Sequence, residues 1–121
     1  MKHGVVLLFC AVCVACDGER ERRAADMTGG DSHRGAQIIL SKGCASCQTI
    51  PGISGANGVV GPPLNQIARR VYVAGVLVNN PDNMFRWLRD PPGVVTRTAM
   101  PNLNLTDAEI RDIACYLYTL D

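Results

Sequence analysis

The sequence is poor in histidine, in aromatic residues and in excess charge of either sign. It contains two histidines, 5% aromatic residues and a formal net charge of +1 over 121 residues. A nearly neutral chain lacks the broad positive field that attracts nucleic acid, so we expect no nucleic-acid partner. A single short domain with few aromatic residues can build only a small apolar core. A bound prosthetic group would therefore supply part of the missing apolar volume.

Long apolar runs are also missing. The run from Val5 to Ala15 is too short to span a bilayer by itself. Because it follows a basic start and ends in small residues before Cys16, residues 1–16 are predicted to be a secretory signal peptide. The small residue before Cys16 is also typical of a lipoprotein signal, which would leave a lipid anchor on that cysteine. The alternative is an ordinary cleaved signal, and both readings predict an exported protein, periplasmic or membrane-anchored through Cys16.

After residue 16, a leading segment without apolar periodicity is followed by one domain in which that periodicity is present. Residues 17–30 are charged, small and glycine-ended, which predicts a flexible tether before a domain at 31–121. No stretch alternates long enough to favour a strand, and we expect Val71 to Val78 to be irregular or helical. An all-α fold of three to four helices with long loops is therefore predicted. The helix signals are an N-cap at Asp31 or Ser32 with a stop at Gly43, a short helix over Leu64 to Arg70, the Asn80-Pro81 start before Pro91-Pro92, and a capping box from Thr106 to Glu109.

The chemistry of the sequence centres on the pair Cys44 and Cys47, which are separated by two residues. This spacing allows two sulfur atoms to meet one group from a single turn of chain, and several kinds of site use it. A dithiol oxidoreductase would need a βαβ context, which is absent. A structural zinc site would need four nitrogen or sulfur ligands, and the chain has no second cysteine pair.

Outside this pair, the order of motifs from Ser32 to Asp121 resembles class I c-type cytochromes. The matching pieces are the helix leading to Gly43-Cys44, the pair Cys44 and Cys47 followed by Thr49, the loop Val60-Gly61-Pro62-Pro63-Leu64, Arg69-Arg70, Trp87, Thr98-Ala99-Met100-Pro101, and the last helix with Ala114, Tyr116, Leu117 and Tyr118.

The resemblance implies a haem c bound covalently through Cys44 and Cys47, with the thioether of Met100 as an axial iron ligand. It also implies that Pro62 and Leu64 pack on one haem face, and that Arg70 and Trp87 donate hydrogen bonds to the propionates. On this reading the protein is an electron carrier and not an enzyme. Its expected partners are redox proteins of a respiratory chain, such as a quinol-oxidising complex or a terminal oxidase.

The chain departs from the family at Gln48, which stands where the iron-ligating histidine follows the second cysteine. A neutral carboxamide is a much weaker iron ligand than imidazole, so we expect impaired haem attachment and electron transfer. His33 lies two to three helical turns before Cys44 and is expected to be a surface histidine. The alternative function is a haem-free or degenerate scaffold or binding domain, with Cys44 and Cys47 as a disulfide or as thiols.

Overall fold

The computed structural model describes the backbone of residues 3–121 and the side chains from residue 15 onward. The described chain is mainly helical, which confirms the predicted all-α class. Between the helices lie long loops and two short 3₁₀ turns, at Cys44–Ser46 and Ile67–Arg69. The α-helices are α1 (His3–Thr28), α2 (Ser32–Ser41), α3 (Pro81–Arg89), α4 (Pro91–Val94) and α5 (Asp107–Tyr118), and the strands are β1 (Tyr72–Val73) and β2 (Leu77–Val78).

The helices begin where the sequence supplies caps. The Asp31 carboxylate accepts a hydrogen bond from the backbone N–H of Arg34 at the start of α2. Asn80 caps α3 in the same way, with Pro81 at the first helical position. At α5 the Thr106 hydroxyl and the Glu109 carboxylate form the complete capping box. These local interactions satisfy backbone donors that a helix start leaves unpaired, so the predicted starts are confirmed.

Helices α2 and α5 pack against each other at very short range. A Cβ on Gly35 of α2 would lie 2.0 Å from the backbone oxygen of Asp112, so only glycine fits this contact. The buried Asp112 carboxylate reaches back to the start of α2. It accepts hydrogen bonds from the backbone N–H of Asp31 at 2.8 Å and from Nε of Arg34 at 3.0 Å. Sterics and hydrogen bonding together fix the crossing of the two helices.

The core lies between these two helices and the loops that follow α2. Ile39 of α2 and Ile110 of α5 are each only 1% exposed. Met84 and Leu88 come from one face of α3, at the helical spacing that places both on the same side. Residues between α2 and α3, in loops, the second 3₁₀ turn and β1, complete this core: Ile50, Ile53, Ala56, Ile67 and Val73.

The structure corrects the expectation of a flexible tether over residues 17–30. Helix α1 continues to Thr28, and Ala24 and Thr28 are buried in contacts that include α5. An ion pair from Arg20 to Asp121 at 2.9 Å also joins α1 to the domain, and Nε2 of His33 lies 3.5 Å from a carboxylate oxygen of Glu21. The side of α1 that contacts the domain is narrow and consists of small residues one helical turn apart. Because most residues of this segment are charged, the sequence shows no apolar stripe that would reveal the contact.

The predicted signal peptide, residues 1–16, lies largely outside the described side chains, and its processing stays a prediction. Cys16 is exposed on α1. Among the helices that the structure describes, none has both the length and the apolarity required to cross a membrane.

Residues 71–78 form a small antiparallel hairpin, not the irregular or helical segment expected from the sequence. Tyr72 pairs with Val78 and Val73 with Leu77. The turn between the strands contains Ala74 at φ 56° and Gly75 at φ 72°, both in the left-handed region. Two-residue strands are too short for apolar alternation to reveal them, which explains the error.

Candidate functional site

The two cysteines lie in a tight turn directly after α2. Gly43 adopts φ 79°, which ends the helix and is a conformation that favours glycine. The carbonyl oxygen of Cys44 then accepts hydrogen bonds from the backbone N–H groups of Cys47, at 3.3 Å, and Gln48, at 3.2 Å. Both cysteines are free thiols in the structure. The turn thus presents two thiols and a carboxamide from five consecutive residues.

The loop 58–61 packs directly onto this turn. A Cβ on Gly58 would lie 2.5 Å from the backbone oxygen of Ser46, and the N–H of Gly61 donates to the carbonyl oxygen of Cys47 at 2.9 Å. The Gln48 side chain lies against Gly61, because a Cβ there would be 3.1 Å from its Cγ and 3.2 Å from its Nε2. The short approach of the two backbones fixes the position of the cysteine turn.

Met100 reaches the same region from the loop between α4 and α5. Its backbone N–H donates to the hydroxyl of Thr98 at 3.2 Å, while the N–H of Thr98 donates to the carbonyl oxygen of Val95 at 3.1 Å. These bonds give the loop a defined shape without regular secondary structure. The thioether of Met100 is partly buried against the core.

One cavity of about 430 Å³ joins these segments. Its volume lies within the range typical of small-molecule and cofactor sites, roughly 300–1,000 Å³. Predicted site residues in its wall are Cys44, Cys47, Gln48, Pro62, Trp87 and Met100. The wall also contains Lys42, Gly43, Ser46, Val60, Gly61, Thr98, Ala99, Pro101 and Leu103.

Two predicted site residues do not line this cavity. Leu64 packs against the core, and its N–H donates to the carbonyl oxygen of Thr49 at 2.9 Å. The guanidinium of Arg70 donates to the backbone carbonyl oxygens of Pro63 and Asn65, the latter at 3.0 Å. These two hydrogen bonds stabilise the loop that contains Pro63 and Asn65.

Lys42 and Leu103 line the cavity although the sequence singles out neither of them. Lys42 is the last residue before the glycine that ends α2, and that position is the only sequence signal that it lies near the cysteines. Leu103 follows Met100 by three residues within an irregular loop, where no periodicity indicates which side chains face inward. Neither residue can therefore be assigned to the cavity wall without the tertiary structure.

Burial changes the pKa of one thiol at the site, and one charged side chain lies in the cavity wall. Burial, with a smaller contribution from the nearby Cys47, raises the pKa of the Cys44 thiol, so this thiol is protonated at neutral pH. Lys42 brings a positive charge to the wall, but its Nζ lies 3.7 Å from a carboxylate oxygen of Glu109. Among the described residues, the wall contains no other lysine, arginine or carboxylate side chain, so the cavity suits an apolar group held by sulfur atoms.

A short helical domain with two thiols in a tight turn, and a methionine facing the same cavity, defines a class of covalent cofactor-binding domain. The sequence model of the family "Cytochrome c" matches residues 32–121. The chain therefore belongs to the cytochrome c family, whose members carry electrons.

Curated relatives show the same likeness. The chain is 27% identical to cytochrome c oxidase subunit 2 of Alkalihalophilus pseudofirmus over 90 residues, which are 74% of this chain and 25% of that protein. It is 30% identical to cytochrome c oxidase subunit 2 of Bacillus sp. strain PS3 over 88 residues, covering 69% and 25%. The chain thus spans about a quarter of the length of these relatives. No solved structure matches it significantly.

The haem c that the family implies fits most of the cavity wall. Cys44 and Cys47 provide the two thiols, Met100 provides a thioether, and Trp87 and Pro62 provide an apolar surface. An imidazole ligand is missing from the wall. His33, the histidine whose side chain the structure describes, is 79% exposed in its side chain and paired with Glu21 on the surface. The expectation of a surface histidine is confirmed.

Proposed function

We propose that the domain binds one haem c and passes single electrons between respiratory proteins. One observation carries this proposal: the cysteine pair Cys44 and Cys47 lines a single cavity together with Met100, which is distant in sequence. Each thiol would add across a haem vinyl group, forming a thioether while its hydrogen passes to the neighbouring vinyl carbon. The bound haem would supply an iron that changes oxidation state by one electron.

The residues of the chain would have distinct roles in this function. The cysteine turn would hold the haem covalently, and Met100 would ligate the iron and favour its reduced state. Trp87 is a candidate hydrogen-bond donor to a propionate because it lines the cavity. Arg70 supports the proposed propionate role less well, since its guanidinium already binds two backbone carbonyl oxygens.

Location and partners complete the proposal. The signal pattern of residues 1–16 supports export, and we propose a lipid anchor at Cys16. Both relatives are cytochrome c oxidase subunits, so we propose a terminal oxidase or a quinol-oxidising complex as the redox partner. No catalytic turnover of its own is proposed for this domain.

The test is covalent haem staining of the full-length protein after a denaturing gel, from cells with a c-type cytochrome maturation system. We expect wild type to stain weakly, because Gln48 lowers attachment, and Cys44→Ala/Cys47→Ala not to stain. Cys115→Ala is the matched control, since this cysteine lies outside the cavity wall, and it should stain like wild type. Equal staining of the double variant would refute attachment through this turn.

Met100 is tested separately by spectroscopy of the haem-bearing protein. Loss of its thioether in Met100→Leu should change the absorption bands and lower the reduction potential. Met27→Leu, at an exposed methionine of α1, should leave both unchanged. An unaltered spectrum in Met100→Leu would show that another group ligates the iron.

A second candidate function is a haem-free scaffold, and Gln48 is the observation that favours it. Haem staining separates the two functions, because a scaffold would remain unstained even as Gln48→His.

A further inference from the structure

We infer that the cavity wall formed by Gln48 and Gly61 is a binding site for a small uncharged iron ligand of about the size of a diatomic gas. The inference rests on the proposed function, since the ligand would bind to the haem iron. It adds ligand binding to electron transfer as an activity of this domain.

The first step concerns the groups that could ligate iron. Met100 is a suitable thioether ligand in the cavity wall, whereas the carboxamide of Gln48 is a weak one. Lys42 also lines the cavity, but its ammonium lies 3.7 Å from Glu109 and has no lone pair while protonated. With His33 on the surface, and with both thiols used for haem attachment, the described wall offers no second strong iron ligand besides Met100, so an iron held there would be open to an outside molecule.

The second step concerns space. Gln48 packs closely on Gly61, and the N–H of Gly61 is bound to the carbonyl oxygen of Cys47, so the backbone there is held in place. The movable part of this wall is the Gln48 side chain, which has several rotatable bonds. A diatomic molecule needs only a small displacement of the carboxamide. A larger molecule such as imidazole needs the whole side chain to turn away.

The third step concerns polarity. The carboxamide of Gln48 makes no hydrogen bond to another residue in the described part of the chain, so it is available to a bound molecule. Lys42 is the charged side chain of the described wall, and the Glu109 carboxylate beside it balances its charge. The wall therefore has no net charge to attract an anion, and an uncharged ligand that accepts one hydrogen bond fits best.

The experiment is a titration of haem-bearing, full-length protein with carbon monoxide in the reduced state and with imidazole in the oxidised state, followed by absorption. We expect wild type to bind one carbon monoxide per haem. Gln48→Ala should bind imidazole at least about tenfold more tightly, because it removes the side chain that must move. Gln48→His should bind both probes at least about a hundredfold more weakly, because its imidazole occupies the position.

Two further variants show whether the probe binds beside Gln48 or displaces Met100. Gln37→Ala changes an exposed glutamine of α2 and should match wild type. If Met100→Leu tightens binding while Gln48→Ala does not, the probes displace Met100 and the inference is wrong. Haem staining without any binding would overturn the inference alone. Failure of every variant, including Gln48→His, to stain would overturn the proposed function and this inference with it.

Discussion

Gly35 is the residue at which α2 and α5 approach most closely. A methyl group there would overlap the Asp112 carbonyl, whose oxygen would lie 2.0 Å from it. Since the neighbour is backbone, the helices must separate to make room. We expect Gly35→Ala to lower the free energy of unfolding by about 1–3 kcal/mol, the usual cost of overpacking.

Gly18→Ala is the matched control for this prediction. Gly18 lies in α1 with nothing within 4 Å of an added Cβ. Alanine there should leave stability unchanged or raise it by up to about 1 kcal/mol through helix propensity. Denaturant unfolding measures both variants, and equal stability for Gly35→Ala and wild type would contradict the close packing.

Tyr118 gives the molecule a predicted dependence on alkaline pH. Its hydroxyl donates to Oδ1 of Asn79 at 2.8 Å, and burial raises its pKa from 10.0 to about 12. The folded state therefore keeps a proton that the unfolded chain loses near pH 10. This contribution to stability is complete below pH 10 and disappears as the pH rises to about 12.

Thermal unfolding at a series of pH values tests this, from about one unit below the ordinary tyrosine pKa of 10.0 up to the raised pKa of about 12. Tyr118→Phe should lose less stability over that range than wild type does. Tyr72→Phe, at a 55% exposed tyrosine, should follow wild type. Parallel curves for wild type and Tyr118→Phe would show that Tyr118 does not titrate as described.

At the scale of elements, the sequence predicted those helices whose signals are local. The caps at Asp31, Asn80 and Thr106 act within one turn, so the starts of α2, α3 and α5 could be identified without tertiary information. The hairpin at 72–78 could not be predicted, because each strand has two residues. Helix α1 was missed because its contact with α5 depends on small side chains and not on an apolar stripe.

The packing of α1 on the domain yields a prediction of its own. Ala24 is 1% exposed, so a charge there would be buried without a partner. Ala24→Glu should lower the melting temperature and the hydrogen-exchange protection of residues 20–28. Arg23→Glu, a change on the exposed face, should alter neither. Unchanged protection in Ala24→Glu would mean that this segment does not dock on α5.

At the scale of the whole molecule, the cavity depends on which distant segments meet. The family motif was enough to predict Cys44, Cys47 and Met100 in one pocket wall, and the structure places all three there. It was not enough for Arg70, because its guanidinium has alternative acceptors in the loop beside it. A long side chain next to a loop can reach several hydrogen-bond acceptors, and the sequence alone does not show which of them it binds.

The central claim is that this cavity is a haem pocket lacking only its imidazole ligand. Intact mass spectrometry of wild type and Gln48→His, coexpressed with the same maturation system, tests it most directly. The account predicts that a minor fraction of wild type and most of Gln48→His carry one covalent haem, the latter with a six-coordinate, low-spin spectrum. No added mass in Gln48→His, or complete low-spin haem in wild type, would contradict it.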